Sequence, residues 1–367
     1  MDLAIANIAL SAIIYLTYME VDLMCLKKNH MLLSLFLLSA SLLTACTYNI
    51  SSGDGLMILS KESAKTFSIK KTAVEPIKAI DINTRISDVE IVKSDDYYVE
   101  IDYLYWKEEP VYTLTDGRLT FNDEKSFPKS YSINFNPKNI IKVFLPEDAP
   151  LDDISVNCSS GNVSISAFIA DSLRVKNSYG NCKLADCAAS KADIKLSSGD
   201  CTISDFQTGD LDIDNSYGNI NLKNINTGGN KPAPDISFDK TDIEIDMSSG
   251  NANINNVYAK SLKINNSYGN IDCDTITADS FKARLSSGNL NIKDGDIKES
   301  DFKNSYGDIE LKLTGNENDY SLDLDNSYGD IVVNGRKYED NLKVINKTER
   351  SIYADLSSGN IKIKFNE

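Results

Sequence analysis

The sequence predicts an all-β fold, a parallel β-solenoid, on three observations. A corner phrase, Ser-Ser-Gly or Ser-Tyr-Gly followed by Asn or Asp, recurs ten times between Cys158 and Asn360. Its glycines are evenly ruled: Gly161, Gly180, Gly199 and Gly218 lie 19 apart, as do Gly250, Gly269, Gly288 and Gly307, and Gly329 and Gly359 follow. Between glycines, apolar and polar residues alternate with the period of two of a half-buried strand. A fixed period of this length marks units that stack along one axis.

Each 19-residue unit reads as strand, tight corner, strand, looser corner. Two residues after the glycine stand Val163, Cys182, Cys201, Ile220 and their counterparts; four after it stand Ile165, Leu184, Ile203 and Leu222. Both columns are expected inward, and the polar column between them (Ser164, Lys183, Thr202, Asn221) outward. A second strand precedes the glycine, with Leu173 and Val175, Leu211 and Ile213, or Leu262 and Ile264 facing in. Gly and Asn suit the tight corner because both tolerate positive φ.

A finer alternation has period 38. Ser-Ser-Gly units carry an apolar residue three before the glycine (Cys158, Leu196, Met247, Leu285, Leu356), whereas Ser-Tyr-Gly units carry Asn177, Asn215, Asn266, Asn304 or Asn326. Tyr179, Tyr217, Tyr268, Tyr306 and Tyr328 follow the second class, and the alternation slips once, at Gly307 and Gly329. This favours coils of about 38 residues, in which like residues would stack as unbroken Asn and Tyr ladders. The tyrosines are read as structural packing at every second corner, ahead of a platform for sugar faces.

Residues 66–150 alternate as strands, as in Ile80 to Val92 and Tyr98 to Tyr105, but lack the glycine ruler. They are expected to form an irregular N-terminal β cap with one or two degenerate coils, because a solenoid must cover its open end. The regular repeats span residues 151–367. Residues 46–65, small and polar, read as a flexible tether.

Ahead of the tether, Lys27 and Lys28 precede a short apolar run from Met31 to Leu42, then Leu43, Thr44, Ala45 and Cys46. That order is a lipoprotein signal: Leu43, Thr44 and Ala45 form the lipobox and Cys46 is the lipidated residue. The run is shorter than the roughly 20 apolar residues of a membrane span. A signal of residues 24–45 would begin at Met24, which is read as the true start; the alternative is that the earlier apolar run, Ala4 to Met19, is an extra membrane segment, and in either case residues 1–45 stand outside the fold. The expected location is the cell envelope, anchored in a membrane by lipid and facing away from the cytoplasm.

The chain carries 38 Lys plus Arg against 54 Asp plus Glu, a net charge of −16 and a pI near 4.6. Nucleic acid is excluded as a partner, since phosphate binding needs a basic surface. The single histidine, His30, lies in the signal, which removes histidine-based triads and histidine-ligated zinc from the mature chain. No motif points to a catalytic residue, a cofactor or a metal. Asp212, Asp214, Glu244 and Asp246 read as the scattered acids of a solvated strand. Cys158, Cys182, Cys187, Cys201 and Cys273 occupy apolar columns and read as core thiols. Two insertions interrupt the ruler, one including Thr227 to Pro234 and one including a hairpin turn at Asn334 to Lys337; both are read first as tolerated surface loops.

The lipobox, the acidic β repeats and the alternating Ser-Ser-Gly and Asn-Ser-Tyr-Gly corners together resemble the bacterial "putative adhesin" family of β-strand repeat proteins, a domain of unknown function. The resemblance covers about Ile80 to the C-terminus and implies a β-solenoid on the cell envelope, with no family catalytic residues to carry over. The leading expectation is a non-enzymatic, lipid-anchored adhesin or surface scaffold contacting surface polysaccharide or envelope protein. The alternatives are an accessory of an envelope-stress sensing system and a polysaccharide-acting β-helix enzyme.

Overall fold

Consecutive ruler segments lie side by side in parallel, each residue opposite the one 19 places on, or 32 places on across the first insertion. The computed structural model describes residues 57–133, 135, 137–147, 149–227 and 241–366. The signal, the lipobox with Cys46, residues 46–56 of the tether and the insertion residues 228–234 lie outside them. The remainder of the expected tether is folded, which corrects that reading: Met57–Leu59 is a strand beside Tyr131–Ile133, Leu59 is buried, and the Ser60 carbonyl accepts from Trp106 Nε1 at 2.9 Å. Strand Cys182–Ser198 pairs with Cys201–Tyr217 in the register Cys182 to Cys201, Ile194 to Ile213 and Ser198 to Tyr217. Ala252–Tyr268 pairs with Ile271–Ser287, and that strand with Leu290–Tyr306, in the same way. This corrects the expected coil of about 38 residues: in these segments the chain returns upon itself after one ruler unit.

The inward columns are buried as the alternation requires. Val163, Cys182, Cys201 and Ile220 are closed to solvent, as are Ile165, Leu184, Ile203 and Leu222 and the second-strand pairs such as Leu262 and Ile264. Each such aliphatic is worth roughly 1.5–3 kcal/mol on burial. A third short side, not resolved in the sequence, follows the first: Phe168, Cys187, Phe206, Ile225, Val257 and Ile276 point inward seven residues after their glycines. The inward series thus jumps by three places between Leu184 and Cys187, and again between Ala189 and Ala192. The first jump is made by a residue in the left-handed region, Ala167, Asp186, Asp205, Asn224, Asn256 or Thr275, with φ between 52° and 58°. Asp and Asn tolerate that conformation best among residues with a side chain.

The glycine corner has a harder constraint. A Cβ on Gly180 would sit 2.1 Å from the Gly161 carbonyl oxygen, and one on Gly199 2.1 Å from that of Gly180. From Gly180 onward each ruled glycine lies on the backbone of its neighbouring glycine in the stack, at φ from 123° to 140°. The residue after the glycine joins a second ladder. Asn181 N–H donates to Asn162 Oδ1 at 3.0 Å, Asp200 N–H to Asn181 Oδ1 at 2.9 Å, and Asn219 N–H to Asp200 Oδ1 at 2.8 Å. Only a short side chain ending in an acceptor meets that distance, which explains the restriction to Asn or Asp.

Glycine contacts also give the spatial order of the last coils: Gly359 lies on Gly307, and Gly329 on Gly359. The C-terminal strands Arg350–Ser358 and Ile361–Asn366 are inserted between earlier ones. Asn304 and Asn326 both flank Leu356, and Ile309 and Ile331 both flank Ile361. The slip seen in the sequence therefore disappears in space, where Tyr and Ser corners alternate without exception from Ser160 to Tyr328.

Parallel pairing continues beyond the first ruled corner: Ile80 pairs with Ile154 and Leu119, and Val89 with Val163 and Ile141. Antiparallel strands then follow, Val111–Thr115 on Arg118–Asn122, Tyr98–Tyr105 on Asn139–Pro146, and Lys65–Ala73 outermost. The last of these carries Lys65, Lys70 and Lys71, charges that discourage further strand addition. At the other end the second insertion forms the hairpin Ile331–Val333 with Arg336–Tyr338, turning at Asn334 and Gly335 with φ of 47° and 77°, and Asn341–Val344 lies antiparallel on Tyr320–Asn326.

Candidate functional site

Immediately before each glycine the strand ends, and with it the rule that alternate side chains share a face. Asn177, three before Gly180, is buried, whereas Tyr179, which the alternation would also turn inward, is 68% exposed. Tyr217, Tyr268, Tyr306 and Tyr328 are 65%, 66%, 65% and 77% exposed. The reading of these tyrosines as corner packing is therefore corrected: the positive-φ glycine turns the chain, and the ring ahead of it is left in solvent.

The tyrosines are rungs of one column. Register places Ser160 against Tyr179, Tyr179 against Ser198, Ser198 against Tyr217, Tyr217 against Ser249, Ser249 against Tyr268, Tyr268 against Ser287, Ser287 against Tyr306, and Tyr306 against Ser358. Gly359 N–H donates to the Tyr328 carbonyl at 2.9 Å, which completes the file. A tyrosine thus recurs every second strand, at ~9.6 Å for ordinary strand spacing.

Two rows support this edge. Beneath it each buried Asn of a Tyr corner donates through Nδ2 to the glycine carbonyl of the neighbouring Ser corner: Asn177 to Gly161 at 2.9 Å, Asn215 to Gly199 at 3.1 Å, Asn266 to Gly250 at 2.9 Å, Asn304 to Gly288 at 2.8 Å and Asn326 to Gly359 at 3.0 Å. Asn is thus needed only at alternate corners, where it clamps one coil to the next, and the intervening corners place apolar residues there. Beside the edge runs the Asn and Asp ladder, begun by Asp88, whose Oδ1 accepts from Asn162 N–H at 2.7 Å. It ends at Asp330, paired with Lys337 at 2.8 Å. The edge carries exposed aromatics separated by serines and flanked by amides and carboxylates.

The other candidates fall elsewhere. Asp212 lies directly against Glu244, and Asp214 against Asp246, so these acids are neighbours and not scattered as expected. They share an open strand face with cations: Lys195 pairs with Asp214 at 2.8 Å, Lys263 pairs with Glu244, and Asn265 Nδ2 donates to Asp246 at 2.6 Å. Partial burial and the neighbouring Glu244, Asp193 and Asp210 hold Asp212 above the usual carboxylate range, against the pull of Lys191. Among the described residues no group of three or more His, Cys, Asp or Glu is placed to hold a metal ion. Nor is any described helix long and apolar enough to cross a membrane.

All five described cysteines are buried and free, in the apolar columns where the sequence places them. Burial pushes the thiols of Cys158 and Cys187 up to about 12, and that of Cys273 higher still. Cys201 lies against Cys182 and is raised by that contact and by burial. A buried polar knot, absent from the sequence reading, sits near the N-terminal end: Asp123 Oδ2 accepts from Thr84 Oγ1 at 2.9 Å, from Arg85 N–H at 2.7 Å and from the Tyr103 hydroxyl. Its members lie far apart in the chain, and no local signal marks them as partners.

A comparison with curated proteins finds no match. Among solved structures the chain is similar to a protein named a putative adhesin from Parabacteroides distasonis ATCC 8503, at 18% identity over 67% of this chain and 97% of that one, with a TM-score of 0.43. It is similar to a second so named from Parabacteroides merdae ATCC 43184, at 15% identity over 70% and 99%, with a TM-score of 0.38. A protein named a putative lipid binding protein from Parabacteroides distasonis ATCC 8503 matches at 14% identity over 84% and 100%, with a TM-score of 0.34. Residues 77–233 and 235–364 match the Toastrack family, DUF4097, a domain of unknown function, and the chain belongs to that family.

Proposed function

We propose that this chain is a non-enzymatic cell-envelope protein, lipid-anchored through Cys46, whose stacked 19-residue coils hold a contact edge away from the membrane. Residues 66–150 act as the cap of the solenoid's N-terminal end, and residues 46–56 as the tether. The observation that supports contact as the task is the exposed tyrosine file on an edge whose backbone is held by side-chain ladders. Exposed aromatics in register are costly to leave in water and are enriched where proteins meet partners. Chemistry at the acidic strand face would need a carboxyl pair converging on a cleft, whereas Asp212, Glu244, Asp214 and Asp246 stack along an open face beside cations.

Two measurements test this reading together. A palmitate analogue should label the wild-type chain in cells and not Cys46→Ala; labelling of the variant would end the lipid-anchor assignment. Purified ectodomain should bind glycans or envelope proteins without turnover, and release of products from any bound polysaccharide would move the protein to the enzyme class. An accessory role in envelope-stress sensing predicts co-purification with a membrane sensor in place of polymer binding.

A further inference from the structure

We infer that the tyrosine file is a binding site for an uncharged β-1,4-linked polysaccharide, each tyrosine stacking on every second sugar ring. The inference rests on the contact-edge reading above and names its ligand. Three properties of the edge converge on this class. The first is pitch. In an extended β-1,4-linked chain successive rings are flipped, so a ring face recurs in the same orientation at every second sugar. Each ring advances the chain by slightly more than one strand spacing of about 4.8 Å, which brings equivalent faces close to the two-strand interval of the tyrosines.

The second is chemistry. Tyrosine offers an apolar face with a hydroxyl tip and few rotatable bonds, so it stacks at small entropic cost and can still donate a hydrogen bond. Between and beside the rings stand Ser198, Ser249 and Ser287 and the Asn and Asp ladder, suited to the equatorial hydroxyls or amides of a sugar. The third is charge: at −16 overall, with Asp200 and Asp308 in the flanking ladder, the edge disfavours anionic polymers and leaves neutral ones.

Protein ligands fit less well. A β-strand repeats its side chains at ~6.7 Å and falls out of step after one tyrosine. A polyproline II segment repeats at ~9.3 Å, yet such segments dock into aromatic-lined grooves, and these tyrosines stand on a corner at 65–77% exposure. Single contacts at such an edge are weak, and the file gains strength by engaging several at once.

The test titrates the full mature chain, in detergent, with β-1,4-linked glucose and N-acetylglucosamine oligomers from disaccharide to octasaccharide. Affinity is expected to rise with each added disaccharide for at least one series. Tyr217→Ala with Tyr268→Ala is expected to lower it about tenfold or more, while Tyr217→Phe with Tyr268→Phe keeps most of it. Tyr258→Ala, exposed but outside the file, should leave it unchanged. Circular dichroism of each variant separates lost binding from lost fold. The inference is overturned by absence of binding to both series, by equal binding of α-1,4-linked oligomers, by an unaffected double Ala variant, or by a proline-rich peptide that binds the same tyrosines while the glycans do not. Protease shaving of intact cells tests envelope exposure separately: a protected chain that still binds glycan removes the surface role and leaves the site standing.

Discussion

Gly269→Ala isolates the contact on which coil stacking depends. Its added Cβ would meet the Gly250 carbonyl oxygen at 1.9 Å and the carbonyl carbon at 2.7 Å, where 3.4 Å is the start of ordinary contact. Both atoms are backbone and cannot rotate away, so the two coils must part at this corner. Four hydrogen bonds cross there: Gly250 N–H to the Tyr268 carbonyl, Ala252 N–H to the Asn270 carbonyl, Asn266 Nδ2 to the Gly250 carbonyl and Asn270 N–H to Asn251 Oδ1, each 2.9 Å. Losing most of them costs about 1 kcal/mol apiece. The φ of 134° adds roughly 1–3 kcal/mol for a residue with a Cβ. The expected loss is about 5 kcal/mol, a large share of the 5–15 kcal/mol typical of folded domains. Gly335→Ala is the matched control, since its φ of 77° is strained but nothing lies within 4 Å of the new Cβ; it should cost only ~1–2 kcal/mol. Urea unfolding of both variants gives the comparison. If Gly269→Ala loses no more than Gly335→Ala, the ladder argument is wrong.

Three further outcomes follow from the burial and charge of named groups. Burial holds Asp123 above the usual carboxylate range against donors from Tyr103, Arg85 and Thr84, so its folded pKa exceeds its unfolded one. The associated stability is present in full below the unfolded value of about 3.9 and is lost as pH rises through the folded value; Asp123→Asn should flatten urea stability across that window, and an unchanged slope would refute it. Asp212→Asn removes a carboxylate that faces Glu244 directly, and should stabilise by ~0.5 kcal/mol at low salt, with the gain vanishing at high ionic strength. The five buried thiols should resist a thiol reagent in the native chain and react once it is denatured, and rapid native labelling of Cys158 or Cys187 would contradict their raised pKa values.

The inward columns were legible because a strand's period of two ties chemistry to face: Val163, Cys182 and Ile220 had to be buried if Lys183 and Asn221 were to meet water. The role of Asn or Asp after each glycine was legible only as tolerance of a tight turn; its larger task, accepting an N–H from the next coil, needs the stacking distance. Coil length does not follow from the alternation, because like residues need not have like neighbours. Asn266 instead reaches across to Gly250, in a corner of the other class, so alternation is what the contact requires. The exposure of the tyrosines is hidden in the sequence because the parity of a strand fails at a positive-φ glycine, which turns Tyr268 out while Asn266 stays in. The third side of the coil was hidden for the same reason, its phase being reset at residues such as Asp186 and Asn256.

The sequence by itself determined that the chain is all β, that its units repeat at glycine corners, and which aliphatics form the core, because periodicity and turn chemistry are local properties. Its family membership could also be recognised from those corners. Tertiary structure decided what depends on neighbours distant in the chain. The C-terminal strands enter between Gly307 and Gly329, the acids at Asp212 and Glu244 meet, and five tyrosines separated by many residues become one evenly spaced edge. Hydrogen bonding between parallel strands sets that spacing, and it comes into being only when the coils stack.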